Sequence, residues 1–175
     1  MDLNPSEALT VLERTPATLN ALLGGLPAAW LEANEGPDTF SPRDVLGHLI
    51  HGEKTDWIPR LRLILSQGEA VPFTPFDRFG FRTESPPEPV QELLSRFASL
   101  RQENLREVRA LVLDEETLRR TGMHPALGRV TLGQLLAAWV VHDLGHVKQV
   151  VRVMAGRYRE TVGPWREFLS ILDRP

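Results

Sequence analysis

Two histidines four residues apart, His142 and His146, have the spacing in this chain that most directly suggests chemistry. On a helix, that spacing puts two imidazoles on neighbouring turns, about 40° apart, so both rings can turn toward one ion at roughly 2.1 Å. Such a pair also arises by chance among five histidines, and its ordinary reading is a pair of partly buried or surface side chains. A third ligand has to come from elsewhere, and His48 and His51 are the candidates. At about 100° per residue, Leu46, Leu49, Ile50, Trp57, Leu61 and Ile64 form an apolar stripe, with His48 nearly opposite its middle and His51 roughly 60° to the side. His48 is therefore either an exposed histidine or part of a narrow cleft where the small Gly52, one turn later, leaves room for a ligand.

Other polar residues carry two readings each. Asp143 falls near the centre of the apolar sector formed by Leu132, Leu136, Trp139, Val150 and Met154, where an unpaired carboxylate is costly. It is either an acceptor that orients a ligating imidazole through its other nitrogen or a carboxylate satisfied by an Arg or a backbone amide. Glu53 shares the stripe of Ile50 and Trp57 and is a candidate proton-transfer group, with a structural ion pair as its more ordinary role. His124, ahead of Pro125, is expected to shape a loop, and Arg101 is a candidate for recognising a substrate carboxylate, with a surface or structural role as its more ordinary reading.

These side chains need elements to position them, and helix starts are legible. Asn4-Pro5-Ser6-Glu7, Ser41-Pro42-Arg43-Asp44 and Ser85-Pro86-Pro87-Glu88 combine a capping side chain, Pro at the first helical position and an acid at the third, and Thr131-Leu132-Gly133-Gln134 repeats the pattern without Pro. Gly24, Gly68 and Gly156 stand where helices stop. The spacing predicts helices over 5–24, 41–68, 86–112, 131–155 and a short fifth over 164–173. Pro16 is expected to break or restart the first helix, and Pro59 to kink the second. Residues 69–84, with four Phe, read as an irregular crossover lying against the bundle. Strand signals are weak. The expected fold is an all-α four-helix bundle.

Composition bounds the rest. The 175 residues suit one domain over 1–175, and 42% hydrophobic with 25% charged residues is ordinarily globular. A formal charge of −3 with no basic block argues against nucleic-acid binding. No apolar run approaches the roughly 18–20 residues that span a bilayer, and no signal-peptide pattern opens the chain, so a cytoplasmic protein is expected. Cysteine is absent, so any thiol chemistry needs a borrowed thiol. The 18 Arg against two Lys carry no functional weight.

Ser41-Pro42-Arg43-Asp44-Val45-Leu46-Gly47-His48-Leu49, His124-Pro125-Ala126-Leu127-Gly128-Arg129-Val130-Thr131-Leu132 and His142-Asp143-Leu144-Gly145-His146 together resemble the DinB superfamily of metal-binding four-helix bundles. The resemblance implies that His48, His142 and His146 are the metal ligands, that the bundle runs up-up-down-down with one long crossover, and that the chain forms a homodimer. Three neutral His ligands leave a coordination position open, as in catalytic sites, and all-nitrogen ligation suits Zn, Ni, Fe or Mn alike. Family members include low-molecular-weight-thiol S-transferases and mycothiol-dependent maleylpyruvate isomerases. The expected function is a metal-dependent transferase or hydrolase acting on a small molecule, with a thiol as candidate co-substrate. The alternative is a stress-associated protein that binds a metal or ligand without turnover. Three such ligands lead to an expected steep fall of metal affinity below about pH 6.5, with a slope of about three.

Overall fold

Asn4, Ser41 and Thr131 each accept hydrogen bonds from the first free amides of a helix, and in the computed structural model, which describes residues 3–84 and 88–173, long helices start at those points. Ser41 and Thr131 form reciprocal capping boxes with Asp44 and Gln134. Helix α1 runs Pro5–Leu23, α2 is a short turn at Ala28–Leu31, α3 runs Pro42–Thr55 and α4 Trp57–Ser66. After the crossover, which holds the short α5 at Phe81–Glu84, come α6 at Val90–Arg109, α7 at Glu115–Arg119 and α8 at Leu132–Gly156. The C-terminal helix expected over 164–173 is two 3-10 turns, Gly163–Phe168 and Ser170–Leu172. The start expected at Ser85-Pro86-Pro87 lies outside the described residues, and regular helix begins at Val90.

The all-α four-helix bundle with one long crossover is what the chain builds, from α1, α3 with α4, α6, and α8. The helix directions differ from up-up-down-down. Asn20 and Glu13 of α1 meet Gln91 and Arg109 of α6, so those helices are antiparallel. Glu53 and Arg62 meet Arg101 and Glu107, so α3–α4 runs parallel to α6. His48 meets His142, and Trp57 stacks on Trp139, so α8 runs back against α3–α4. In chain order the sense is up-down-down-up, and the single crossover joins the two consecutive parallel helices that need one.

Each proline acts through the carbonyl four residues before it, which loses its helical donor. Pro16 leaves the Leu12 carbonyl free, yet α1 continues through it, because Arg101 Nη1 donates to Leu12 O at 2.7 Å. The expected break is therefore absent. Pro59 deprives Thr55 in the same way, and there the helix does end, at Thr55, with Asp56 between α3 and α4 and Pro59 in the first turn of the new helix. Two helices replace the one kinked helix expected over 41–68.

A hairpin between α7 and α8 was not expected. Strands β1, Thr121–His124, and β2, Gly128–Thr131, pair antiparallel with His124 opposite Gly128, whose φ of +74° closes the turn. Among the expected stops, Gly68 takes a left-handed φ of 59°, and at the end of α1 Gly25, rather than Gly24, takes one of 73°. Gly156 ends α8 without one.

The buried apolar side chains form two clusters. One gathers Leu12, Trp57, Leu61, Leu105, Val108 and Trp139, and the other Leu19, Leu46, Ile50, Leu94, Phe97 and Val150. Between them lies an ionic layer. Arg101, 2% exposed, donates to Glu53 Oε1 at 2.7 and 3.0 Å and to Asp143 Oδ2 at 2.6 Å, while Asn104 donates to Glu53 Oε2 at 2.8 Å. Removing the guanidinium would leave two carboxylates buried without their cation. Arg101→Met is expected to lower unfolding free energy by about 3–5 kcal/mol in urea denaturation, more than any exposed Arg→Met change.

Candidate metal site

His48 leaves α3 on the side toward α8, although its place opposite the apolar stripe allowed an exposed histidine. It is 5% exposed, because the crossover folds over it. Phe76 meets its ring edge-on at 5.4 Å, and Phe40 packs at 5.3 Å. Gly47 makes this covering possible, since a Cβ there would fall 2.6 Å from the Phe81 ring. Gly52 serves a different purpose from the one expected: its bare Cα faces Trp57 Nε1, which a Cβ would approach to 3.3 Å.

Across from His48, α8 presents His142 and His146 from neighbouring turns. Their Nε2 atoms stand 3.1 Å apart, and His48 Nε2 stands 3.1 Å from that of His142. Two donors bound tetrahedrally at about 2.1 Å from one ion are roughly 3.4 Å apart, so this spacing is close to a ligating one. The other ring nitrogens set the tautomers. His48 Nδ1 donates to the Arg78 carbonyl at 3.2 Å and His146 Nδ1 to the Gln149 amide oxygen at 2.9 Å, which leaves the Nε2 lone pairs of both rings facing the cluster. His142 Nδ1 is buried and has no hydrogen-bond partner among the described residues; Asp143 Oδ1 lies 3.9 Å away. The three residues offer donor atoms within 4.8 Å of one another, a set compatible with a divalent metal.

Burial, followed by repulsion from the other two histidines, pushes His48 down to about 3. Burial and then His142 push His146 down to about 4. Both rings are therefore neutral at pH 7, the form that ligates.

Asp143 fulfils parts of both readings. It is fully buried, holds Arg101, and lies beside His142 without reaching hydrogen-bond distance. Burial pushes its carboxyl up, and contacts with His142, Arg101 and Thr15 more than reverse this, holding it below the usual range. Glu53 takes the structural role: its carboxylate is held by Arg101 and Asn104 and does not line the histidine cleft. Arg101 is structural and buried. His51, 8% exposed, packs on Phe76 beside Gly80, apart from the cluster. His124 shapes its loop as expected, its Nδ1 accepting from the amides of Ala126 and Leu127 at 3.1 Å each.

The histidines open into a cleft of about 600 Å³, lined also by Asp56, Arg60, Phe76, Arg78 and His124. Sequence reasoning passed over Asp56 and Arg60. Their signal was local: Asp56 precedes Trp-Ile-Pro at the helix break, and Arg60 follows it by one turn, with Nε 2.7 Å from Asp56 Oδ1.

Fold and site define the class: a helical-bundle protein with a cluster of three histidines, one buried and two half-buried, able to take a divalent ion. The chain belongs to the DinB superfamily, whose family model matches residues 11–150. Its structure is similar to that of YfiT from Bacillus subtilis, described as "a probable metal-dependent hydrolase with an unusual four-helix bundle topology", with a TM-score of 0.74 and 21% identity over 89% of this chain and 87% of that one. No curated protein matches the sequence. No helix among the described residues is long and apolar enough to cross a membrane.

The depressed values of His48 and His146 bear on the metal-free fold. Below the unfolded-chain value of 6.5 the unfolded state takes up protons that the folded state refuses, so stability is full above that pH and is lost as pH falls toward 3. Urea denaturation of the metal-free protein from pH 7 to 4 should show this decline, and His48→Asn should make it shallower; an equal slope in both proteins would contradict it.

Proposed function

We propose that the protein is a metal-dependent enzyme acting on a small molecule, of the hydrolase or thiol S-transferase type, with His48, His142 and His146 as the ligands of a Zn, Ni, Fe or Mn ion. The observation that carries this reading is the convergence of three imidazole Nε2 atoms, that of His142 lying 3.1 Å from each of the other two, in the lining of a cleft wide enough for a small molecule. A divalent ion held there supplies a Lewis acid that polarises a substrate oxygen and favours the deprotonated form of a water or thiol.

The chain's own residues hold the ligands and shape the access. The Arg78 carbonyl and Gln149 fix two of the rings, and Asp143, anchored by Arg101, stands beside the third. Phe40 and Phe76 exclude water from the His48 side. A thiol co-substrate, where one is used, comes from outside, because the chain has no cysteine. The proposal includes a single domain over 1–175, a cytoplasmic location and a homodimer, for which the exposed Val141, Leu144, Trp165 and Phe168 offer apolar area.

Three measurements test it. His48→Ala, His142→Ala and His146→Ala should each weaken metal binding more than about 100-fold, beyond what losing an outer-shell partner usually does, whereas His51→Ala and His124→Ala should change it less than about tenfold; equal losses for His48→Ala and His51→Ala would give the third position to His51. The pH dependence should be gentler than free histidines would give. With His48 pushed down to about 3 and His146 to about 4, the fall of log affinity between pH 6.5 and 5 should stay well short of a slope of three and steepen only near pH 4. Incubating metal-loaded protein with a panel of low-molecular-weight thiols, electrophiles and hydrolysable esters and amides should yield a metal-dependent product. No product across the panel would leave a protein that binds metal without turnover.

A further inference from the structure

Besides the histidine cluster, the cleft holds a second group of polar side chains with no part in holding the ion. Asp56 fills the break between α3 and α4 and is 6% exposed. Its Oδ1 lies 2.7 Å from Arg60 Nε, and the Arg60 side chain is itself only 11% exposed. The Arg60 guanidinium also lies over the ring of Phe73, 5.4 Å from its centroid. Phe73 is fixed in turn, since it is 2% exposed and its amide donates to the Met123 carbonyl at 2.8 Å. The guanidinium is therefore held by the ion pair with Asp56 and on one face, although its buried Nε makes no hydrogen bond among the described residues. Its two terminal nitrogens have no hydrogen-bond partner among the described residues, and they present the pair of parallel N–H groups that fits a carboxylate.

His124 adds a donor beside it. The ring stands edge-on to the same Phe73, 6.2 Å between centroids. Its Nδ1 accepts from the amides of Ala126 and Leu127, so the hydrogen of the neutral ring is on Nε2. Arg78, stacked on Phe40 and Phe79 at 5.2 and 4.8 Å, brings a further positive charge to the rim. The cleft lining thus sets two guanidiniums against one carboxylate, in a chain whose formal charge is −3. A concave site of local positive charge on an acidic protein concentrates small anions.

We propose that Arg60, with the Nε2–H of His124 beside it, binds a carboxylate group of the substrate, and that Asp56 is a positioning residue holding the guanidinium in place. The substrate class is then a small organic carboxylate whose reacting group reaches the histidine cluster while its anionic end is held by Arg60. This deepens the proposed function and rests on that reading for the reaction at the ion, but anion recognition by Arg60 does not require the ion.

Benzoate and benzamide have the same shape and differ in charge, so the pair isolates this interaction. Titrated into metal-free protein and followed by nuclear magnetic resonance, benzoate should bind at least about tenfold more tightly than benzamide, the size expected of a charge-assisted pair. Arg60→Gln alone would leave Asp56 buried and unpaired, so the informative variant is Asp56→Asn with Arg60→Gln, which removes both charges and keeps both polar side chains. It should abolish the preference while leaving metal uptake and thermal unfolding close to those of the parent. Should the double variant fail to fold, Asp56→Leu with Arg60→Met, which removes both charges and keeps similar volumes, should likewise abolish the preference. His48→Ala should lose metal uptake and keep the preference, which separates failure of the ion site from failure of this inference. Equal binding of the two probes to the parent protein, a preference that survives either double variant, or one lost with Arg78→Gln instead would overturn it.

Discussion

The buried guanidinium of Arg101 is the interaction on which the rest of the structure depends. It bonds to an element from each of the other three quarters of the bundle: the Leu12 carbonyl on α1, Glu53 on α3 and Asp143 on α8. The four helices are thereby joined in register in a layer between two apolar clusters that impose no fixed register themselves. The layer also makes Pro16 compatible with a continuous α1, because the carbonyl that Pro16 orphans is the one Arg101 takes. Burial pushes the Glu53 carboxyl up despite Arg101 and Asn104, while contacts with His142, Arg101 and Thr15 hold Asp143 down.

From Asp143 the constraint passes to the site. His142 is the next residue along α8, so the helix phase that buries Asp143 against Arg101 also sets where His142 points, and His146 follows one turn later. The Trp57–Trp139 stack, 5.5 Å between centroids, backs this arrangement, with Trp57 meeting His142 edge-on at 5.1 Å. On the other side the crossover supplies Phe76 and the Arg78 carbonyl to His48. The histidine cluster is thus backed by three devices, namely the ionic layer, the aromatic stack and the crossover.

Much of this was legible in the residues themselves. The capping boxes at Ser41 and Thr131 and the i, i+4 histidines place two of the long helices and two of the three candidate ligands, and the four Phe of the crossover announce that it is packed. Other features depend on contacts distant in sequence. The burial of His48 comes from Phe76 and Phe40, on elements that periodicity along α3 does not register. The fates of Pro16 and Pro59 differ because a donor reaches one orphaned carbonyl and the chain breaks at the other. Strands of four residues are too short to show alternation, so the hairpin was hidden, although Gly128 after His124-Pro125-Ala126-Leu127 carried its turn. The structural place of Glu53 and the place of Asp56 in the cleft both follow from contacts with Arg101 and Arg60 that the residues' own spacing does not show.

The central claim is that the bundle holds His48, His142 and His146 ready as one three-nitrogen metal site. A crystal structure of the metal-loaded protein, with the ion located by its anomalous scattering, tests it most directly. The account predicts a single ion at about 2.1 Å from the Nε2 atoms of those three residues, with the Arg101 layer and the helix positions unchanged. An ion bound through Glu53, His51 or His124, or a histidine cluster that forms only when α3 and α8 move relative to each other, would contradict it.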